Sequence, residues 1–263
     1  MDLQAGHSTH IAGMVYGLEL QRSMFGTATR RDQFRKASVR WHRLLGFRPT
    51  EGVVASKKRP LEAWEAGLED ARQRRFKRLR QADIQGQLQQ MMGADVAFRG
   101  CQREVIQAIF RGRSPIVQVS GTGGGKSLSF MLPAYCSGTD GVSIVVVPLV
   151  ALREDMVRRC RESMIDVHMW NGSGTNRAAS IVLVTPESAS SRGFRDFVNR
   201  LRARQQLDRV VVDECHMVLD AGDSFRPELR ALGQTIAEWG VQVVCLTATL
   251  SPHDEAEFYR VIG

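Results

Sequence analysis

The stretch Ser120-Gly121-Thr122-Gly123-Gly124-Gly125-Lys126-Ser127 constrains this 263-residue chain more than any other. It follows the apolar run Pro115-Ile116-Val117-Gln118-Val119 and precedes Leu128-Ser129-Phe130-Met131-Leu132, so it reads as the loop between a buried strand and a helix. Glycines let a backbone curl until successive N–H groups converge on one anion, and the following helix adds its positive end. Thr122, Gly123, Gly124 and Gly125 would line such a phosphate cradle. Lys126 would reach the terminal phosphates of a nucleotide as a point charge, and Ser127 would offer its hydroxyl to Mg²⁺.

A loop of this kind needs a sheet behind it, and the chain from Phe98 onward supplies one. Residues 102–109 have helical spacing, as do 126–136 and 149–164, and Val142-Ser143-Ile144-Val145-Val146-Val147 is an apolar run ended by Pro148. Further short β-branched runs fall at 167–170, 181–184, 210–212 and 241–246. Runs without polar alternation are strands buried on both faces. The pattern predicts an α/β fold with a parallel sheet, right-handed crossovers and ligands at the carboxyl ends of the strands.

Residues 1–97 differ in character. They carry 17 Lys and Arg against 10 Asp and Glu, whereas the remainder has 19 against 18. The expected division is therefore a basic, mostly helical region at 1–97, with a linker near 50–60, followed by the α/β domain at 98–263 that carries the phosphate loop. Phe34, Trp41, Leu44 and Leu45 share one helical face, and a second helix is expected from Leu61 to about Gln90. Its middle, Arg72-Gln73-Arg74-Arg75-Phe76-Lys77-Arg78-Leu79-Arg80, is the densest basic stretch. With Lys57-Lys58-Arg59 it fits a nuclear-import signal, which predicts a nuclear location. The same charges suit a polyanionic partner or a solvated face. The Gln-rich segment 81–90 need not be structured.

No apolar stretch approaches the roughly 20 residues of a membrane span, so no membrane partner is expected. The five cysteines lack the pairing of a zinc site or a disulfide framework, which suggests an intracellular, reducing compartment.

The second chemical constellation follows Val210-Val211-Val212, which leads directly into Asp213-Glu214-Cys215-His216. Carboxylates at the carboxyl end of a buried strand face the phosphate loop across the sheet edge. Asp213 would hold Mg²⁺, and Glu214 would orient and deprotonate the attacking water.

With these residues in place, a resemblance becomes specific. Asp213-Glu214-Cys215-His216 resembles the acidic (DECH) box of superfamily 2 helicases, and the other motifs of that superfamily follow in order. Leu246-Thr247-Ala248-Thr249-Leu250 is similar to the motif that links hydrolysis to strand separation. The segments around Pro148 and Thr185 resemble the two motifs that touch the backbone of the tracking strand. Phe98-Arg99-Gly100-Cys101-Gln102, the triple glycine before Lys126-Ser127, Pro148-Leu149, and Phe225-Arg226-Pro227 after His216 resemble the RecQ family in particular. Residues 1–97 are similar to what precedes the helicase core in RecQ-like proteins of fungal subtelomeres and mobile elements.

The resemblance implies a P-loop RecA-like lobe that uses ATP and Mg²⁺ and binds single-stranded or forked DNA. It implies that Gln102 reads adenine, that His216, Thr247 and Thr249 relay nucleotide state, and that Phe225 and Arg226 belong to a loop sensing DNA. Two departures qualify it. Ala221 stands where the family has a tryptophan that would stack on a base. The sequence stops at Gly263, so a second RecA-like lobe is expected to be absent or supplied in trans, with feeble hydrolysis without it. A non-enzymatic nucleic-acid-binding remnant and an RNA helicase lobe are the alternative expectations.

Overall fold

The computed structural model describes residues 61–172, 177–218, 233, 235–236, 238–251, 253–254, 256 and 258. The predicted helix bearing Trp41, the cluster at 57–59, Ala221, Phe225 and Arg226 lie outside them.

Six strands form one parallel sheet: β1 (Ile116–Val119), β2 (Val142–Val146), β3 (Val167–Met169), β4 (Ile181–Val184), β5 (Leu207–Val212) and β6 (Gln242–Thr247). Their spatial order is β1-β6-β5-β2-β4-β3, and every neighbouring pair is parallel. The expected α/β architecture is thus present, and each of the six strands falls on a run that sequence reading singled out. All carboxyl ends share one edge, which fixes the order of the loops along it: 120–127, 247–249, 213–216, 147–149 and 185–188.

Strand side chains alternate between two cores. Val145, Val211, Val244 and Leu246 pack on one face with α2 (Ile84–Met92), α3 (Gln102–Phe110), α4 (Leu128–Ser137) and α5 (Val150–Glu162). Ile144, Val182, Val210 and Val212 pack on the other with Phe194, Phe197, Val198, Leu201 and Trp239. α6 is the short Pro186–Ala189, and α7 is Arg192–Ala203. The buried positions of α7 recur at i, i+3, i+4 and i+7, which gives one apolar stripe, and Ser191 caps the helix by accepting from the Phe194 N–H at 3.3 Å.

The region upstream of Phe98 departs from expectation. The compact unit holding the sheet begins at Trp64, so the change in composition at Phe98 is not its border. The long helix predicted from Leu61 is two helices. α1 spans Leu61–Gln81, and α2 begins after Asp83, whose side chain accepts from the Gln85 N–H at 3.1 Å. Most of the Gln-rich segment is therefore helical, because Ile84 and Leu88 are buried in the first core.

Arg75, in the middle of the basic run, is buried. Its Nε donates to both carboxylate oxygens of Asp208 at 3.1 and 3.2 Å, and its Nη2 donates to Asp208 Oδ1 at 2.6 Å and to the Gln205 carbonyl at 2.8 Å. Ser137 Oγ donates to Asp208 Oδ2 at 3.1 Å, so the carboxylate is satisfied on several sides. The stretch that fits an import signal is thus partly a docking element, with Arg75 turned into the protein.

Candidate functional site

β1 delivers the phosphate loop and α4 carries it away. Gln118, a polar residue within an otherwise apolar strand, is 1% exposed and accepts from Ser129 Oγ at 2.6 Å, which ties the strand entering the loop to the helix leaving it. The loop closes through a bond from the Gly124 N–H to the Gly121 carbonyl at 2.9 Å. Gly123 and Gly125 have φ of 78° and 71°, a region that glycine adopts without strain. A Cβ at Gly124 would lie 2.4 Å from Ser120 Oγ, and one at Gly125 would lie 2.3 Å from Gln102 Nε2, so the loop is also packed too tightly for side chains there. Among the described residues, the N–H groups of Gly123, Gly125, Lys126 and Ser127 have no protein acceptor. Four donors concentrated at the start of α4 form an anion-binding nest.

Lys126 Nζ donates to the Ser120 carbonyl at 2.9 Å, which holds the ammonium against the loop. Gln102 is 5% exposed and its amide is engaged within the chain. Oε1 accepts from the Arg99 N–H at 2.8 Å, and Nε2 donates to the carbonyls of Gly124 and Gly125 at 3.1 and 3.2 Å. This side chain braces the loop from behind; Nε2 is engaged by the two glycine carbonyls, while Oε1 keeps a second lone pair beside its bond from the Arg99 N–H.

The acidic box follows β5. The Asp213 N–H donates to the Val146 carbonyl at 3.0 Å, and the residue is 6% exposed. Burial, and then the neighbouring Glu214 charge, push its carboxyl up to about 6, against the pull of Lys126 and His216. A buried carboxylate held at that cost is relieved by a cation. The donor set therefore fits Mg²⁺ at Asp213 and the Ser127 hydroxyl, and the nest fits a polyphosphate. Glu214 has φ 47°, uncommon for a residue with a Cβ, and this turn brings Glu214 to the sheet edge.

His216 joins the acidic box to the end of β6. Its Nδ1 lies 2.9 Å from Thr247 Oγ1 and 3.4 Å from Glu214 Oε2. Thr247 Oγ1 donates its single proton to the Thr249 carbonyl at 2.8 Å and accepts from the Thr249 N–H at 3.2 Å. With the Thr247 proton on the Thr249 carbonyl, Nδ1 carries the hydrogen in its contact with Thr247, and in a neutral ring Nε2 is then an acceptor. The Ser120 N–H donates to the Thr247 carbonyl at 2.9 Å, so one threonine touches both the phosphate loop and the acidic box. Cys215, between Glu214 and His216, is buried against Cys245. Its hydrogen bond with that thiol, and burial, hold it firmly protonated.

The two remaining sequence-predicted contacts are less open. Pro148 is buried, and Thr185 is 8% exposed, with its Oγ1 accepting from the Ser188 N–H at 3.3 Å as the cap of α6. Sequence reading places Gln118, Ser129, Arg99 and Ser120 within runs and motifs but gives none of them a part in bracing the loop. Gln118 left a signal as the polar position in an apolar run, and Arg99 acts there through its backbone N–H.

Comparison with known proteins adds three findings. The family model described as DEAD/DEAH box helicase matches residues 99–258. ATP-dependent helicase SGS1 of Saccharomyces cerevisiae is 34% identical over 170 residues, which is 59% of this chain and 12% of that protein. ATP-dependent DNA helicase Q1 of Rattus norvegicus is 34% identical over 172 residues, 59% of this chain and 27% of its own length. ATP-dependent DNA helicase RecQ of Haemophilus influenzae is 31% identical over 177 residues, 62% and 28%. The chain thus spans at most 28% of the length of these three relatives. Among solved structures, the DUF1998 helicase MrfA bound to DNA shares the fold with a TM-score of 0.53 at 21% identity, over 68% of this chain and 28% of that one.

Proposed function

The chain belongs to the DEAD/DEAH box helicase family, and from that premise we propose that residues 98–263 are the ATP-binding lobe of a RecQ-like DNA helicase. Its identity with DNA helicases of the RecQ family supports DNA over RNA as the polymer. The single observation that carries the catalytic reading is the alignment at one sheet edge of the nest at 123–127, the buried Asp213 and the bridge from Glu214 through His216 to Thr247.

In this reading the N–H groups of the loop bind the phosphates of ATP, and Lys126 leaves the Ser120 carbonyl to pair with the terminal phosphate oxygens. Ser127 and Asp213 hold Mg²⁺. When bound, the ion would neutralise charge on the phosphate oxygens. Glu214 accepts a proton from a water molecule as the water oxygen bonds to the γ-phosphorus and the bond to the ADP oxygen breaks. His216 keeps Glu214 in place and, through Thr247, passes a change at the phosphate loop to Thr249 at the exposed end of β6. DNA is contacted along the same edge. Because Pro148 and Thr185 are buried, these contacts fall to backbone groups and exposed neighbours of the two loops. A second lobe, in cis or in trans, completes the motor, and the working location is the nucleus.

The test is steady-state ATP hydrolysis with and without single-stranded DNA, using Glu214→Gln as the comparison. The variant should keep ATP binding and lose turnover by about 10²- to 10⁴-fold. Turnover at the unmutated rate would remove Glu214 from the role of base.

A further inference from the structure

The sheet has a second edge, at the amino ends of its strands, and α1 lies against it through Arg75, which reaches Asp208 and Gln205 at the start of β5, and through Arg78, which pairs with Asp140 before β2 at 3.0 Å. The buried Arg75 pair fixes the rotation of α1 and so decides where its other cations point. Glu69, Arg72, Gln73, Phe76 and Arg80, spaced as one helical stripe, form one wall of a cleft of about 420 Å³. Gly112, Ser114 and residues 240–242 also line it. Arg111 and Arg113, which flank Gly112, are exposed. Lys77 stands four residues after Gln73 and three before Arg80, and Arg74 lies three before Lys77. Both are exposed, so the basic surface continues from the cleft onto the outer face of α1.

The acids nearby offset only part of this surface: Glu69 pairs with Arg72 at 3.8 Å and Asp140 with Arg78, while Arg74, Lys77, Arg80, Arg111 and Arg113 have no ion pair among the described residues. Asp208 is engaged by Arg75 and Ser137. Residues 72–80 cover about 12 Å of helix at 1.5 Å per residue. One strand of B-form DNA passes three to four phosphates over about that length. A single phosphate would use only a fraction of the row.

We infer that the cleft and the basic face of α1 form a second nucleic-acid backbone-binding surface, on the edge of the sheet opposite the ATP site. It reads phosphate charge rather than base identity, because arginine and lysine reaching a backbone carry no sequence information. The inference does not depend on the ATP-site assignment, since the two surfaces share no residue.

The experiment measures binding of a fluorescein-labelled 20-nucleotide oligothymidine by anisotropy, without ATP, across a salt series, using the whole chain. One variant carries Lys77→Gln, Arg80→Gln, Arg111→Gln and Arg113→Gln, all exposed positions. A charge-matched control carries Arg158→Gln, Arg159→Gln, Arg161→Gln and Arg195→Gln, also exposed. The rim variant should bind at least about tenfold more weakly than the control, and its slope of log K against log salt should be shallower by about 0.7 for each phosphate it no longer neutralises. Equal affinity and slope in the two variants would overturn the inference. So would displacement of the oligonucleotide by polyglutamate as readily as by unlabelled oligonucleotide of equal charge, which would assign the surface to acidic protein. Thermal melts and binding of a fluorescent ATP analogue on the same samples report folding and the ATP site independently.

Discussion

The two edges of the sheet handle polar groups in opposite ways. At the amino ends, Asp208 is 1% exposed and Arg75 is 3% exposed, and both oxygens of Asp208 and the Nε and Nη2 of Arg75 are held by close partners. Even Gly141 is enclosed there, since a Cβ on it would meet Asp208 Oδ2 at 2.0 Å. At the carboxyl ends, donors of the loop at 123–127 have no protein acceptor, Asp213 is buried at a cost, and Glu214 sits in a strained backbone conformation. The Arg75–Asp208 pair is closed by groups of the chain itself, while Gln206 Oε1 and Arg209 Nη2 beside it are buried without a hydrogen-bond partner among the described residues; at the other edge the loop donors are left open for a ligand. If the proposed function holds, substitutions at the first edge should act on stability and those at the second on nucleotide binding and turnover.

The largest separation is expected at Arg75. Arg75→Ala leaves Asp208 charged and buried, which should cost about 3–5 kcal/mol in chemical denaturation. ATP affinity of the molecules that remain folded should be unchanged. A fall in nucleotide affinity larger than the unfolded fraction explains would break the comparison.

Asp213→Asn should act in the opposite direction. The carboxyl is raised from an ordinary 3.8 to about 6, so as pH rises through that window the unfolded chain loses its proton before the folded one. The folded state is then penalised, fully above about pH 6 and not at all below about pH 4. The asparagine variant should gain of order 2–3 kcal/mol over the parent at pH 7.5 without Mg²⁺, and the difference should vanish near pH 4. A variant no more stable than the parent at pH 7.5 would contradict the burial argument.

A smaller effect is expected at Thr247→Val, which removes the hydroxyl shared by His216 and Thr249. The loss should be about 1–2 kcal/mol, together with loss of DNA stimulation of ATP turnover, whereas ATP affinity stays. Retained stimulation would disconnect the bridge from the relay. Smallest of all is Arg78→Ala. Its pair with Asp140 is 63% exposed on both sides, and its removal should shift stability by less than about 1 kcal/mol in urea titration.

What could be read in the sequence divides along the same line. The places of Lys126, Ser127, Asp213 and Glu214 at one sheet edge were legible because phosphate and metal chemistry needs given residue types at short spacings beside apolar runs, whereas His216 and Thr247 came in through the family resemblance. The sheet was legible because strands buried on both faces leave uninterrupted β-branched runs. The pairing of Arg75 with Asp208 spans 133 positions and left no local mark, so Arg75 looked like one more cation in a solvated cluster. The Gln-rich segment reads both as the end of a helix from Leu61 and as a stretch that need not be structured, and the helical reading is the one that holds for most of it. Its composition is polar, but Ile84 and Leu88 alone suffice to seat a short helix, and Asp83 starts it. Gln102 was legible as a position, while the engagement of its amide with Arg99, Gly124 and Gly125 depends on how α3 meets the loop.

The central claim, that the carboxyl-end edge is a Mg-ATP site, is tested most directly by calorimetric titration of the folded chain with a non-hydrolysable ATP analogue and Mg²⁺, alongside Lys126→Ala. The account predicts saturable binding by the parent chain and an affinity about 10- to 100-fold weaker in the variant, as expected for loss of a charged hydrogen bond of about 1.5–3 kcal/mol, with both melting alike. Equal affinity in the two, or no binding by the properly folded parent chain, would contradict it.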